Sequence, residues 1–259
     1  MKKLFGALRR FMTRHPRRYA VLGVLLCGIL ILSVIVHPSI AGVSATTRLL
    51  PIYCVQRDNK AVSLTFDAAW GNEDTEELIE ILGRYGVKAT FFIVGEWAEK
   101  YPESVKALSD AGMEIMNHSD THPHCASLTA QEIVTELSTC NDRIEAITGV
   151  RPTYFRCPYG EYDDNVIAAV NGMGMTTIQW DVDSLDWKDL SADEICSRVT
   201  GKVQPGSIVL FHNAALHTPE ALPGIIEYLI QNGYSIVPVS ELLLQGDYTI
   251  DHTGRQCPA

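Results

Sequence analysis

The clearest chemical signal in this sequence is a pair of histidines four residues apart, His118 and His122. On one helical turn or in a tight loop, this spacing points both imidazoles the same way, as binding to one cation requires. No Glu follows His118, so the helix motif of zinc peptidases is absent. Taken alone, the pair indicates either a metal site or a solvated polar face.

Other reactive side chains stand where predicted strands end. Asp67 follows the first strand, Arg156 ends the fourth, Asp183 and Asp186 follow the fifth, and His212 ends the sixth. In parallel α/β folds the carboxyl ends of the strands share one face, which is where these folds place their sites. We therefore expect these side chains to meet the two histidines in a single site.

The elements that must position these residues alternate between short apolar, β-rich runs and amphipathic helical patterns. The predicted strands are 61–66, 89–94, 114–117, 153–156, 176–180, 207–211 and 235–239. The predicted helices are 74–85, 102–111, 129–148, 163–171, 192–203 and 218–232. Seven strands separated by helices predict a parallel sheet, because parallel neighbours need a long crossover. The fold class is α/β, as either a barrel or a doubly wound sheet.

Five short motifs, in order, resemble those of the polysaccharide deacetylases with NodB homology, carbohydrate esterase family four. The resemblance covers nearly all of residues 61–245 and implies a distorted (β/α)7 barrel. It further implies metal-dependent removal of N-acetyl groups from cell-wall or related glycans, and residues 67–75 look like the PdaB-like, sporulation-associated branch. The motifs are Thr65-Phe66-Asp67, His118-Ser119-x-x-His122, Arg156-Cys157-Pro158-Tyr159, Asp183-Ser184-Leu185-Asp186-Trp187 and Leu210-Phe211-His212.

The resemblance implies a role for each residue on the base and metal side of the site. Asp67 would be the general base, and Arg156 would pair with it and keep it ionised. His118 and His122 would hold a divalent metal, Zn²⁺ or Co²⁺, which polarises the acetyl carbonyl and lowers the pKa of its bound water. The backbone N–H of Tyr159 would stabilise the developing oxyanion.

The resemblance also implies an acid side and a substrate pocket. His212 would be the general acid, and Asp186 behind it would set its tautomer and raise its pKa. Trp187 and Leu210 would wall the pocket for the acetyl methyl group; ordinary core packing is the alternative for these two residues.

One position departs from the family pattern, which has two consecutive aspartates in its first motif. Here the second is Ala68, which has no ligand atom, and catalytic zinc usually has three protein ligands. Three interpretations follow. Glu73 or Asp74 supplies the missing carboxylate, although Asp74 also suits a helix cap; the metal is held weakly by the imidazoles and solvent; or catalysis is lost and the protein only binds glycan.

The N-terminal region predicts a membrane segment. Residues 1–45 contain seven basic and no acidic residues, and 19–36 form an apolar run without charge. The run is longer than the apolar region of a secretory signal and shorter than a full membrane span, so it is either a cleaved signal or a retained anchor. Its almost entirely apolar composition favours the anchor. The positive-inside rule places 1–18 in the cytoplasm and the rest outside, either as a single-pass membrane protein or secreted.

The remaining sequence is acidic, with 14 basic and 31 acidic residues, a balance of −17. A nucleic-acid partner is excluded for this part because phosphate would be repelled. The expected organisation is a basic cytoplasmic segment (1–18), an anchor or signal region (19–36), a linker (37–58), the deacetylase domain (59–246) and a tail (247–259). Six cysteines outside the apolar run form no CxxC pair, so they predict buried thiols or one or two disulfides.

Two functions from different classes follow. The first is a membrane-anchored, outward-facing deacetylase of an N-acetylated glycan, most plausibly peptidoglycan. The second is a catalytically degenerate protein of the same fold that binds or scaffolds glycan. Ala68 favours the second, and the complete acid and base favour the first.

Overall fold

The computed structural model describes residues 48–259. The predicted membrane segment, residues 19–36, lies outside the described residues. Between residues 48 and 259, no helix combines the length and the apolar character needed to cross a membrane.

The core of the fold is a parallel sheet, as the sequence predicts. Its strands are β2 (Ala61–Ala68), β3 (Thr90–Ile93), β4 (Glu114–Asn117), β5 (Tyr154–Phe155), β6 (Thr176–Thr177), β7 (Val182–Asp183) and β8 (Ile208–His212). They run in the order β6-β5-β4-β3-β2-β8-β7. Throughout the described residues, no ladder joins β6 to β7, so the distorted (β/α)7 barrel that the resemblance implies is here a curled, open sheet.

Strand β2 is buried along its whole length because it lies between β3 and β8. Its hydroxyl groups are paired inside the sheet; Thr65 Oγ1, for example, donates to the Val209 carbonyl at 2.7 Å. The Phe66 ring stacks on Phe91 and Phe211 of the neighbouring strands, at centroid distances of 4.7 and 5.4 Å. Central position and continuous burial require that the polar residues of this strand find their hydrogen-bond partners inside the protein.

Two strands differ from the sequence prediction. Val182–Asp183 forms β7, which pairs with β8, although this short segment has no strand pattern of its own. The predicted strand 235–239 is shortened to β9 (Ser235–Ile236), which pairs only with the start of β2 at Ala61 and Val62. Both differences depend on which neighbouring strands lie within hydrogen-bonding reach, and the local sequence does not determine this.

The helices follow the predicted amphipathic patterns closely. Thr129 and Ser191 begin two of them with capping boxes, and Gly149 ends one in the left-handed conformation. The short helix 95–100 was not predicted, because six residues carry too little periodicity. The helices are α1 (Thr75–Arg84), α2 (Gly95–Lys100), α3 (Pro102–Asp110), α4 (Ala130–Thr148), α5 (Asp164–Gly172), α6 (Ala192–Thr200), α7 (Thr218–Gln231) and α8 (Val239–Leu242).

A second, three-stranded sheet joins the two ends of the described chain. It consists of β1 (Cys54–Val55), β10 (Tyr248–Ile250) and β11 (Arg255–Pro258), in the order β1-β11-β10. Its outer members come from the predicted linker and tail. The six cysteines of residues 48–259 are free thiols, including Cys54 and Cys257 of this sheet.

Candidate active site

The base side of the site is a buried ion pair. Arg156 is fully buried, and its Nη1 donates to Asp67 Oδ1 at 2.8 Å and to Thr65 Oγ1 at 2.8 Å. Burial opposes the charge on Asp67, but Arg156, together with His118 and His212, lowers the pKa of this carboxyl below its usual value. Asp67 is therefore an anion at neutral pH, held in one direction by the guanidinium.

His118 has a fixed tautomer. Its Nδ1 lies 2.8 Å from the Arg156 carbonyl oxygen, which only accepts, so Nδ1 carries the proton. Burial lowers the pKa of His118, which keeps the ring neutral and leaves a lone pair on Nε2. That nitrogen is 3.5 Å from Asp67 Oδ2, so two acceptors face each other. A proton donor or a cation between them satisfies both.

The second histidine lies beside the first. The ring centroids of His118 and His122 are 5.0 Å apart, and Tyr159 lies 4.6 Å from His122 on the other side. His122 has a φ of 58°, and its N–H donates to Ser119 Oγ at 3.1 Å, which defines the tight loop. Burial and the neighbouring His118 lower the pKa of His122 to about 4. The sequence prediction of a loop that brings both imidazoles together is consistent with this geometry.

The acid side is a second buried pair. His212 Nδ1 donates to Asp186 Oδ1 at 2.8 Å, so Nε2 is the nitrogen available to a substrate. Burial lowers the pKa of His212, but the hydrogen bond and the charge of Asp186 outweigh this and raise it above its usual value. The imidazolium form is thereby favoured.

Asp186 is itself fixed by the surrounding chain. Its Oδ1 also accepts from the Trp187 N–H at 2.9 Å, and its Oδ2 accepts from the His212 N–H at 2.8 Å and from Thr218 Oγ1 at 2.7 Å. The carboxylate is only 1% exposed. Four donors around one buried carboxylate hold it in a single orientation.

The two sides meet across one ladder of the sheet. Asp67 on β2 and His212 on β8 are paired in register, so base and acid are neighbours. Both line a cavity of about 430 Å³. The other predicted site residues on its walls are His118, His122, Tyr159, Trp187 and Leu210. Tyr159 and Trp187 are 58% and 52% exposed, which places them on the rim and not in the core.

The candidate third ligands lie elsewhere. Asp74 Oδ2 accepts from the Ala214 N–H at 2.8 Å, and Asp74 precedes α1 without a side-chain capping bond. The Glu73 carboxylate folds back against Gly71, where it would collide with any added Cβ. Among residues 48–259, no group of three or more His, Cys, Asp or Glu side chains is arranged to hold a metal ion.

The residues present therefore do not fit a three-ligand catalytic metal site. His118 and His122 would supply two of its three ligands, with the Arg156 carbonyl behind His118 in the manner of an outer-shell partner. The third position is Ala68, whose methyl group is fully buried. Among residues 48–259 neither Glu73 nor Asp74 forms such a group with the two histidines, and their role as the missing carboxylate stays a prediction.

Two tryptophans of the cavity were not predicted as site residues. Trp70 and Trp180 both line it. Trp70 follows the end of β2, and Trp180 ends the predicted strand 176–180, so the strand-end signal used for the charged residues was present for them too. An indole has no acid–base chemistry, so its position at a strand end does not by itself indicate a site residue.

Sequence comparison identifies a family model and several known proteins that are similar to this chain. Residues 55–178 match the polysaccharide deacetylase family model. The chain is 35% identical over 193 residues to the uncharacterized protein YlxY of Bacillus subtilis (strain 168), which covers 74% of this chain and 60% of YlxY. It is 30% identical over 197 residues to peptidoglycan-N-acetylmuramic acid deacetylase PdaA of the same organism, covering 74% of this chain and 75% of PdaA.

Solved structures give a further comparison. Wild-type BA3943, a CE4 family pseudoenzyme from Bacillus anthracis, matches with 39% identity and a TM-score of 0.73, over 75% of this chain and 69% of that one. A BA3943 mutant with restored enzymatic activity matches with 40% identity and a TM-score of 0.72, over 75% and 71%.

Proposed function

The chain belongs to the polysaccharide deacetylase family, and from this we propose that it hydrolyses N-acetyl groups of a cell-wall glycan, peptidoglycan. The observation that carries the proposal is the pair of neighbours Asp67 and His212, whose pKa values are shifted in opposite directions. A carboxylate kept ionised beside an imidazole kept protonated is the pairing that general base and general acid catalysis need.

The reaction uses these two groups in sequence. Asp67 takes a proton from a water molecule, whose oxygen bonds to the acetyl carbonyl carbon. The carbon–nitrogen bond then breaks while His212 gives a proton to the departing sugar amine, and acetate is released. Arg156 and Asp186 contact neither the bond that forms nor the bond that breaks. Arg156 orients Asp67 and favours its anion, and Asp186 orients His212 and favours its imidazolium form.

The cavity walls suit an N-acetyl group. Leu210 is almost fully buried at the base of the cavity and Trp187 stands at its rim, as expected for a pocket that takes the acetyl methyl group. We assign the oxyanion to the backbone N–H of Tyr159, which lies in a tight turn with φ 59°.

No step of this route passes through a metal, because Ala68 takes the third ligand position and the residues present do not fit a three-ligand site. Two imidazoles give at most a weak site for a divalent ion such as Zn²⁺ or Co²⁺. We therefore expect slower hydrolysis than a complete metal site would support.

Glycan binding without catalysis is the second candidate. Ala68 supports it, because this position lacks the family's ligand carboxylate. The likeness to BA3943, a pseudoenzyme for which a mutant has restored activity, supports it too. In this case the same cavity recognises the N-acetyl sugar and the chain acts as an anchor or scaffold at the wall.

We also propose where the protein acts. The basic residues before the apolar run at 19–36 support export of the domain across the membrane, with the run as anchor or cleaved signal. Residues 67–75 support placement in the PdaB-like branch and a role in sporulation. Both proposals fit a wall glycan as substrate.

Acetate release from N-acetylated peptidoglycan fragments tests the enzyme directly. General acid catalysis contributes about 10²–10⁴-fold, so His212→Ala should lose about that much activity while glycan affinity changes little. His252→Ala is the matched control, because His252 is exposed in the turn before β11, in the second sheet. Equal background rates in wild type and His212→Ala would refute the hydrolase, and retained affinity would leave the glycan-binding function.

A further inference from the structure

Trp70 is an exposed indole whose backbone is held unusually firmly. On one side the Ala69 N–H donates to Asn213 Oδ1 at 3.2 Å. On the other side the Gly71 carbonyl accepts from Asn213 Nδ2 and, at 2.9 Å, from Trp97 Nε1. Asn213 and Trp97 are 2% and 3% exposed, so rigid, buried groups fix the chain on both sides of a ring that is itself 55% exposed.

Packing in the apolar core does not account for the exposed part of the Trp70 ring. An exposed indole adds apolar surface to water and contributes little to the core. Two buried side chains nevertheless direct their hydrogen bonds to the residues that flank it. Fixing the backbone that carries an exposed aromatic side chain suits a binding surface, because part of the ordering cost is met before the ligand arrives.

The position of the ring relates it directly to the chemistry. The Trp70 ring centroid lies 5.7 Å from that of His212 and 6.3 Å from that of His122. Trp70 therefore lies close to both His212 and His122, on the wall of the cavity that all three residues line.

Trp70 also joins three cavities into one cleft. It lines the central cavity of about 430 Å³, a second of about 270 Å³ beside Asp186 and Ala214, and a third of about 590 Å³ beside Trp97 and Lys100. The cleft continues on both sides of the reacting centre and is wider than one acetyl group needs. Tyr159 and Trp187 add further exposed rings at the central cavity.

We propose that Trp70 is a stacking platform for a sugar next to the one that reacts, so that the protein recognises a glycan chain and not a single N-acetyl sugar. The proposal deepens the proposed function and rests on it. The C–H faces of a pyranose ring are apolar and pack against an indole, while its hydroxyl groups stay in water or bind the polar walls.

The test measures how affinity depends on chain length. The full-length chain is titrated calorimetrically with N-acetylglucosamine oligomers of one to four sugars. For wild type, affinity should rise with length. For Trp70→Ala, the ratio of tetramer to monomer affinity should fall by about tenfold, as expected for loss of an aromatic anchor. Trp70→Phe keeps a ring and should recover most of the ratio.

Tyr248→Ala removes an exposed aromatic ring from the second sheet, far from the catalytic strand ends, and should leave the ratio unchanged. An unchanged ratio in Trp70→Ala, with wild type still binding the oligomers, would overturn the platform alone. If wild type binds no oligomer of any length, glycan recognition itself fails and the platform with it. Equal loss in Trp70→Ala and Trp70→Phe would assign Trp70 to folding and overturn stacking.

Discussion

Replacing Asp186 by Asn isolates the charge behind the general acid. The shape of the side chain is kept, but one oxygen of a carboxylate that accepts four hydrogen bonds becomes an amide that donates. Since all four partners are donors, the amide must oppose one pair of them. Where it faces His212 Nδ1, the imidazole has to move its proton to Nε2, which is the nitrogen that serves the substrate.

The expected change in the pKa of His212 follows from the geometry. His212 Nδ1 and Asp186 Oδ1 are 2.8 Å apart, which places the centres of charge roughly 4 Å apart. At an effective dielectric constant of about 20 the attraction is ~4 kcal/mol. Asp186→Asn removes this attraction for the imidazolium, and we therefore expect the pKa of His212 to fall in the variant.

The sign of the pH effect is fixed by the role of His212. A general acid works only while protonated, so the alkaline limb of kcat/KM reports its pKa and should move to lower pH in the variant. Because the pKa of His212 is raised in the folded state, the pair stabilises the fold below the unfolded pKa, near 6.5, and this contribution is lost as pH rises through the folded value. The variant should therefore lose most stability on the acidic side.

The primary measurement is an NMR titration of the His212 imidazole, which needs no catalytic activity, followed by the pH profile of acetate release. Thr218→Val is the matched control, since it removes one hydrogen bond at 2.7 Å and keeps the charge. Its His212 pKa should stay within about half a unit of wild type. A His212 pKa that is the same in Asp186→Asn and wild type would refute the electrostatic account of the acid.

Three further predictions concern the metal, the stability and the location. Ala68→Asp should tighten Zn²⁺ or Co²⁺ binding by at least about 100-fold, measured as bound metal per chain, because even loss of an outer-shell partner costs about 10–100-fold. Adding His118→Ala should abolish the gain, and an unchanged metal content in Ala68→Asp would show that the metal site is not at these residues. Burial raises the pKa of Asp74 to about 6, so its contribution to stability is present below about pH 4 and lost as pH rises through 6. Asp74→Asn should raise the free energy of unfolding in urea by up to roughly 3 kcal/mol at pH 8 and change it little at pH 4, whereas equal effects at both values would contradict the burial argument. A reporter enzyme active only in the cytoplasm, fused after Ala259, should be silent, and a strong signal would reverse the topology.

The sequence by itself determined the class of fold and most of the residues of the candidate site. The α/β alternation, the helix ends at Thr129 and Gly149, and the reactive residues at strand ends all depend on neighbours within a few positions along the chain. Local periodicity and capping chemistry are therefore sufficient to predict them. The short motifs around Asp67 and His212 carry their chemistry in the same local way, and the parallel sheet then brings the strand ends together.

Tertiary structure decided the features that depend on distant partners. The sequence left Asp74 open as a ligand or a cap, and the structure shows that its carboxylate makes no capping bond and instead accepts from the N–H of Ala214, 140 residues away. The strand 182–183 exists because β8 offers it a partner. Trp70 becomes a fixed wall of the cleft only because Asn213 and Trp97 approach its flanking residues from distant parts of the chain. The physical reason is common to all three: hydrogen-bond partners and burial at these positions come from contacts far away in sequence, which no local pattern encodes.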